Sequence, residues 1–201
     1  MTTSRTLGIA VLALTTVVTF AGCGSQDPDP SEDPTIGQSA GGQTSEPAIP
    51  SDWQEAKIDV ASVHVPQDWA VLNPKATDIG FTAPKDEFGF SPGGGSMVVN
   101  VGDDTGDAEA IIDAATEFNL KTYKGDPNIS NVKRLPDLTI SGVPFSLVQW
   151  ETSQSWETEY LTATDDGTES ITLSWQFIKS DIDRKGSQDL IDPVMETFEL
   201  L

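Results

Sequence analysis

Cysteine and histidine occur once each in this chain, and lysine and arginine together only eleven times against 32 aspartates and glutamates. Each scarcity excludes something. A single cysteine cannot close an intramolecular disulfide, so the fold must hold by burial alone. Zinc needs clustered His or Cys ligands, and no such cluster exists; no metal ligand set and no cofactor motif is read here. A Ser-His-Asp triad would have to use His64, and the chain has no G-x-S-x-G elbow. His64 alternates with Val63 and Val65 on an expected strand, which places it on the outer side. A formal charge of −21 leaves no basic footprint for a phosphate backbone, so nucleic acid is not an expected partner. The same charge opposes direct adhesion to an anionic lipid face. Long hydrophobic runs are missing too. The one apolar stretch, Leu7 to Phe20, has 14 residues diluted by three threonines, which is short for a membrane-spanning helix.

That stretch has a different shape. Arg5 and the amino terminus precede it, the small pair Ala21-Gly22 follows it, and Cys23 comes next. This is the layout of a cleaved secretory leader, with small residues where a peptidase grips extended backbone. The segment "FAGC" (20–23) resembles a bacterial lipobox, with Phe20 in the place usually held by Leu. The resemblance implies residues 1–22 as a lipoprotein signal peptide and Cys23 as the lipidation site. Each buried methylene of an acyl chain contributes about 0.8 kcal/mol, so two or three chains anchor a product firmly. The expected location is the extracytoplasmic face of the cell membrane. Membrane contact would run through the lipid on Cys23.

Residues 24–50 contain five prolines, five acids, no basic residue and almost no large apolar group. Such a segment cannot bury enough surface to offset its ordering entropy. With Cys23 it reads as an acidic Pro/Gly/Ser-rich tether, residues 23–50. From Ser51 the composition changes: all five tryptophans and seven of eight phenylalanines lie in 51–201, which reads as one domain with its own core. That domain carries ten basic and 27 acidic residues, a charge of −17.

Within it, Val63 and Val65 mark a strand stopped by Pro66, and "SMVVNV" (96–101) a second. A helix is expected to begin at an Asp107 cap and end at Gly125, with Ile111, Ile112, Ala115 and Phe118 as its apolar stripe. Strands at about 131–140 and 143–153 join through Ser141-Gly142. The clearest hairpin flanks "TDDGT" (164–168). A two-residue Asp166-Gly167 turn would pair Trp156 with Phe177, Thr158 with Trp175 and Tyr160 with Leu173, all on one side. The last element, 181–200, reads as a helix capped by Asp181 or Asp183 and disturbed near Pro193. The fold class is α+β: a central antiparallel sheet of about five to seven strands with helices on both faces, because segments such as "VPFSLVQW" are apolar on both sides.

"SVHVPQDWAVL", "DLTISGVPFSLVQW" and "METFEL" resemble segments of PsbP/Mog1-like domains. With the lipobox and spacer, the whole is similar to actinobacterial lipoproteins of the LpqN/LpqT type. The resemblance covers about residues 57–200. It implies an αβα sandwich and an accessory or binding role, with no shared catalytic residues to transfer.

The acidic runs 102–107 and 164–169 offer oxygen ligands of the type calcium prefers, but neither has the twelve-residue loop pattern; a helix cap and a hairpin turn explain them. No Asp/Glu pair stands out as a glycosidase site. "KDEFGFSPGGGSM" (85–97) is the one candidate contact. Phe88 and Phe90 beside three glycines form either a binding lip or, the expectation favoured here, rings packed into the sheet over a glycine connector. The functional expectation is a non-enzymatic binding or accessory lipoprotein of the cell envelope, its partner an envelope protein or lipid. The alternative is a carrier of an apolar ligand such as lipid, held in a cavity between sheet and helix.

Overall fold

The computed structural model describes residues 49–101 and 106–201. In chain order these form β1 (Trp53–Lys57), β2 (Ala61–Pro66), β3 (Ala70–Leu72), β4 (Asp78–Thr82), β5 (Gly93–Val101), α1 (Ala108–Gly125), β6 (Ser130–Ile140), β7 (Val143–Glu151), β8 (Ser155–Ala163), β9 (Glu169–Ile178), α2 (Arg184–Met195) and β10 (Glu199–Leu200). Seven strands build one antiparallel sheet in the order β3-β4-β5-β9-β8-β7-β6. A second sheet, β1-β2-β10, is also antiparallel. The α+β sandwich expected from the sequence is therefore present, with a small second sheet that the sequence reading did not separate.

Register explains the layers. Trp156 pairs with Phe177, Thr158 with Trp175 and Tyr160 with Leu173. Side chains alternate along a strand, so these residues share one face, and Met97, Ile79 and Phe81 join them through β5 and β4. That face packs against β1, β2, β10 and α2. One contiguous core results, including Ala56, Val63, Val65, Phe145, Ile191 and Phe198, each at most 1% exposed. Its rings meet edge to face: Phe145 against Phe198 at 5.0 Å and Trp69 against Trp175 at 6.4 Å. We call it the dry face.

The opposite face carries α1. Asp107 caps this helix, its carboxylate accepting from the Glu109 and Ala110 amides, as its position predicts. Two small apolar clusters seat the helix. One joins Ile111 and Ile112 to Ala163; the other joins Ala115, Leu120 and Tyr123 to Val148, Trp150 and Leu161. The helices thus lie on opposite faces of the large sheet.

Four local expectations need correction. The β8–β9 register is as expected, but the reversal is a four-residue loop: the Gly167 amide bonds the Thr164 carbonyl, and Gly167 takes φ of 63°. The last helix ends at Met195, and Glu199–Leu200 leave it to pair with Ala61–Ser62. Of the two caps expected, Asp183 is the one used, accepting from the Gly186 amide at 2.7 Å. The glycine run is strand, not connector. A side chain on Gly95 would stand 2.5 Å from the Phe81 ring and 2.7 Å from that of Trp175, so the rings close over bare backbone. Finally, Phe118 is not part of the buried stripe. It is 68% exposed, while Thr116, Asn119 and Tyr123 turn inward instead.

Candidate functional site

Phe88 and Phe90 were expected inside the sheet. Both stand outside it, 76% and 68% exposed. They sit at the tip of the β4–β5 connection, and local chemistry fixes them there. The Asp86 carboxylate accepts from the backbone amides of Phe88 and Phe90, each at 2.9 Å. The Asp86 amide donates to the Phe90 carbonyl at 2.8 Å, and Gly89 donates back to the Asp86 carbonyl at 3.0 Å. Gly89 has φ of 86°, a conformation a residue with a side chain adopts only under strain. The base of the loop is tied as well. Ser91 donates to the Ala83 carbonyl at 2.8 Å and accepts from the Gly93 amide at 3.2 Å, with the Thr82 hydroxyl 2.8 Å away. The result is a closed turn that holds two aromatic rings in water. Aromatic side chains of this size usually bury their surface, so a pair presented on a hydrogen-bonded turn is the candidate contact site.

A second cluster lies under α1. Glu159 is 5% exposed and accepts from Tyr123 Oη at 2.7 Å, Asn119 Nδ2 at 2.9 Å and Ser174 Oγ at 3.1 Å. Glu157, two residues along β8 and 8% exposed, accepts from Ser155 Oγ at 2.6 Å and Gln176 Nε2 at 2.8 Å. Burial pushes both carboxyls above the usual carboxylate range, although every one of these hydrogen bonds pulls the other way. Burial also drives the Tyr123 phenol well above its ordinary value, and the neighbouring Glu159 charge adds to it. Glu159 ties the helix to the sheet through Asn119 and Tyr123, whereas Glu157 is bonded within the sheet, to Ser155 and to the exposed Gln176. The sequence reading found no acid pair to single out. The signal was present in "WETEY", where residues 157 and 159 share a face, but nothing in the strand pattern says which face a helix covers.

A third cluster surrounds Trp156. Lys179 Nζ lies 4.2 Å and the Arg184 guanidinium 4.7 Å from the ring centroid, and Trp156 Nε1 donates to the Ile182 carbonyl at 3.1 Å. Glu151 closes the group, 3.1 Å from Lys179 Nζ, and also accepts from Asn131. Those two contacts, Asn131 first, hold its carboxyl below the usual range. Lys179 also donates to the Thr152 carbonyl and Arg184 to the Trp150 carbonyl. The cluster pins α2 and the β7–β8 turn together.

The remaining sequence candidates fall as follows. The 102–107 acidic run lies partly outside the described residues. In the 164–169 loop, the Asp166 carboxylate is held below its ordinary range by the Thr164 and Thr168 hydroxyls, which hydrogen-bond to it. Among the described residues no group of three or more His, Cys, Asp or Glu side chains is placed to hold a metal ion. His64 is half-buried and crosses from Glu55 on β1; its backbone amide donates to Thr197 Oγ1 at 2.7 Å. Cys23 lies outside the described residues. No helix among the described residues is long and apolar enough to cross a membrane. The two best-formed depressions are open ones of about 320 and 450 Å³, lined respectively by the 164–169 loop with Leu200 and by Lys57–Asp59 with Pro74–Ala76. Neither lies beside Phe88 or Phe90, and the space between the sheet and α2 is filled by the dry core, which counts against a carried apolar ligand.

No family model and no curated protein sequence matches this chain. Among solved structures it is similar to a protein of Bacteroides thetaiotaomicron VPI-5482, at 16% identity with a TM-score of 0.43 over 70% of this chain and 45% of that one. It is also similar to a mutant of the protein Mog1, at 11% identity with a TM-score of 0.47 over 74% of this chain and 95% of that one. The chain thus spans less than half the length of the Bacteroides protein.

Proposed function

We propose that this chain is a non-enzymatic binding module of the cell envelope, a PsbP/Mog1-like domain tethered through a lipid on Cys23 to the extracytoplasmic face of the membrane. The observation that carries the binding role is the Phe88–Phe90 turn. Four of its backbone amides, those of Asp86, Phe88, Gly89 and Phe90, are engaged in hydrogen bonds within the turn, and its two rings stand outside the core. A preformed turn loses little entropy on docking, so its exposed apolar area converts efficiently into affinity. The anchoring half rests on the sequence: the lipobox-like "FAGC" and the acidic segment after it. The titratable clusters support binding over catalysis, because each acid among Glu151, Glu157 and Glu159 is bonded to structural donors and none lines an open cleft. A protein partner of the envelope fits better than lipid, since Asp86 and Glu87 flank the rings.

Two experiments test this. Labelled fatty acid fed to expressing cells should appear on the wild-type chain and not on the Cys23→Ser chain, which should leave the membrane fraction. A Phe88→Ser, Phe90→Ser double variant should lose its envelope partner in crosslinking while keeping its fold. Robust turnover of a substrate by the purified domain, with no partner found, would overturn the reading.

A further inference from the structure

The helix α1 covers only part of its face of the large sheet. It packs on β6, β7, β8 and the near side of β9, and no element among the described residues lies over β5, β4 and β3. The uncovered strip is floored by Gly94, Ser96, Val98 and Thr172, with Asp78, Gly80 and Thr82 on β4, all of which register places on the α1 side of the sheet. These side chains are small, and Asp78 at one end, paired with Lys75 at 3.0 Å, is the charged one among them. From β9 to β3 the strip spans three strand spacings, about 14 Å, against about 10 Å for the diameter of one helix.

Its borders are apolar and unburied. Asp113 on α1 pairs with Arg134 of β6 at 3.1 Å, which fixes the flank of the helix that faces β6. Phe118 is five residues further on, about 140° around the helix, and so lies on the flank over the strip. Ala114, four residues before it and about 40° around the helix, is exposed as well. Across the strip stands Leu72 of β3, 45% exposed. Its Cβ is 3.6 Å from where a Gly80 side chain would begin, so it rises from the same face. The Phe88–Phe90 turn joins β4 to β5 at one end of the strip. Six large apolar side chains are exposed among the described residues. Two of these, Ile49 and Leu201, lie at the ends of the described chain; of the other four, Leu72 and Phe118 border the strip and Phe88 and Phe90 stand on the turn beyond its end.

We infer that the strip between α1 and β3 seats an α-helix supplied by a partner protein, one with an apolar face for Phe118 and Leu72 and basic residues along its flanks. The inference rests on the binding role proposed above and names the chemistry of the partner. Width and floor fit a helix. One helix fills the space, and small floor residues let its backbone come close, completing the layer that α1 begins. Charge selects the flanks: a domain of −17 attracts a basic segment and repels a second copy of itself. The chain's own 24–50 segment does not suit the seat. It has five acids, no basic residue and no apolar face.

The test places a benzophenone-bearing amino acid at Thr172 in the full lipidated chain and irradiates intact cells. The expected crosslink lies in a Lys/Arg-bearing helical segment of another protein, and Phe118→Asp or Leu72→Asp reduces its yield about tenfold, as loss of an interface anchor does. Both substitutions are at exposed positions, and unchanged thermal melting confirms that the variants fold. With the partner purified, binding should weaken at least about tenfold between low and high salt. Crosslinks to a second copy of this chain, to phospholipid or to nothing overturn the inference, as does affinity insensitive to salt. The Phe88→Ser, Phe90→Ser variant separates the two readings. Binding lost there but kept in Phe118→Asp and Leu72→Asp leaves the turn as the contact and removes the seated helix. The reverse pattern keeps the helix seat and removes the turn.

Discussion

The two faces of the large sheet are built on opposite principles. On the dry face, rings and branched side chains interlock between sheet, α2 and the β1-β2-β10 layer, and the one phenol there, Tyr160, is pushed up to about 12 by burial while it accepts from Gln188. On the other face, α1 rests on two small apolar clusters and on the buried Glu159 carboxyl, with Glu157 buried beside it on β8. A dry interface maximises burial. A buried acid network sets position and costs stability unless every lone pair is answered. The difference indicates where the fold gets its free energy and where it leaves apolar surface open: Leu72 and Phe118 belong to the side that the core does not use.

The largest effect should come from breaking the dry face. Trp175→Ala removes a ring 1% exposed that touches Phe81, Trp69 and Phe177. We expect a loss of about 3–5 kcal/mol in urea unfolding. Gly95→Ala inserts a methyl group where those rings already close, and about 1–3 kcal/mol should be lost by overpacking. Both changes should unfold the whole domain cooperatively. A local effect confined to β5 would contradict a single core.

Smaller changes probe the α1 side. Tyr123→Phe removes one of three donors from Glu159 and should cost about 1 kcal/mol. Glu159→Gln should act in the opposite sense. The folded-state pKa values of Glu157 and Glu159 are raised, so the folded chain holds protons more tightly than the unfolded one. Stability from this pair is then fully present below the ordinary carboxylate range and is lost as pH rises through the raised values. At neutral pH the glutamine variant should be more stable by about 1 kcal/mol, with Asn119 turning its amide to offer an acceptor. Its denaturation midpoint should also vary less than that of the wild type as pH rises above the ordinary carboxylate range. Equal pH dependence in the two proteins would mean the buried acid plays no such part.

Legibility in the sequence follows the same division. The β8–β9 register was readable because a slip by one residue would bring Trp175, Leu173 and Ile171 to the other face. The Asp107 cap was readable because capping is local. The small sheet was not: β10 has two residues, and only their pairing with Ala61 and Ser62 makes them strand. Gly93, Gly94 and Gly95 read as a loop from glycine's backbone freedom, whereas Phe81 and Trp175, distant in sequence, require the absence of a side chain at Gly95. Phe118 fits a helical stripe by spacing alone, but α1 is turned so that Thr116, Asn119 and Tyr123 face the sheet. Phe88 and Phe90 read as core because apolar rings usually are. Their exposure depends on how the Asp86 carboxylate closes the turn, a detail that periodicity does not carry.

The most direct test of the central claim, that the Phe88–Phe90 turn serves contact and not folding, is thermal melting of the Phe88→Ser, Phe90→Ser chain beside its crosslinking in cells. The account predicts stability within about 0.5 kcal/mol of wild type, as for surface positions, and loss of the envelope partner. A stability loss of several kcal/mol with the partner retained would contradict it.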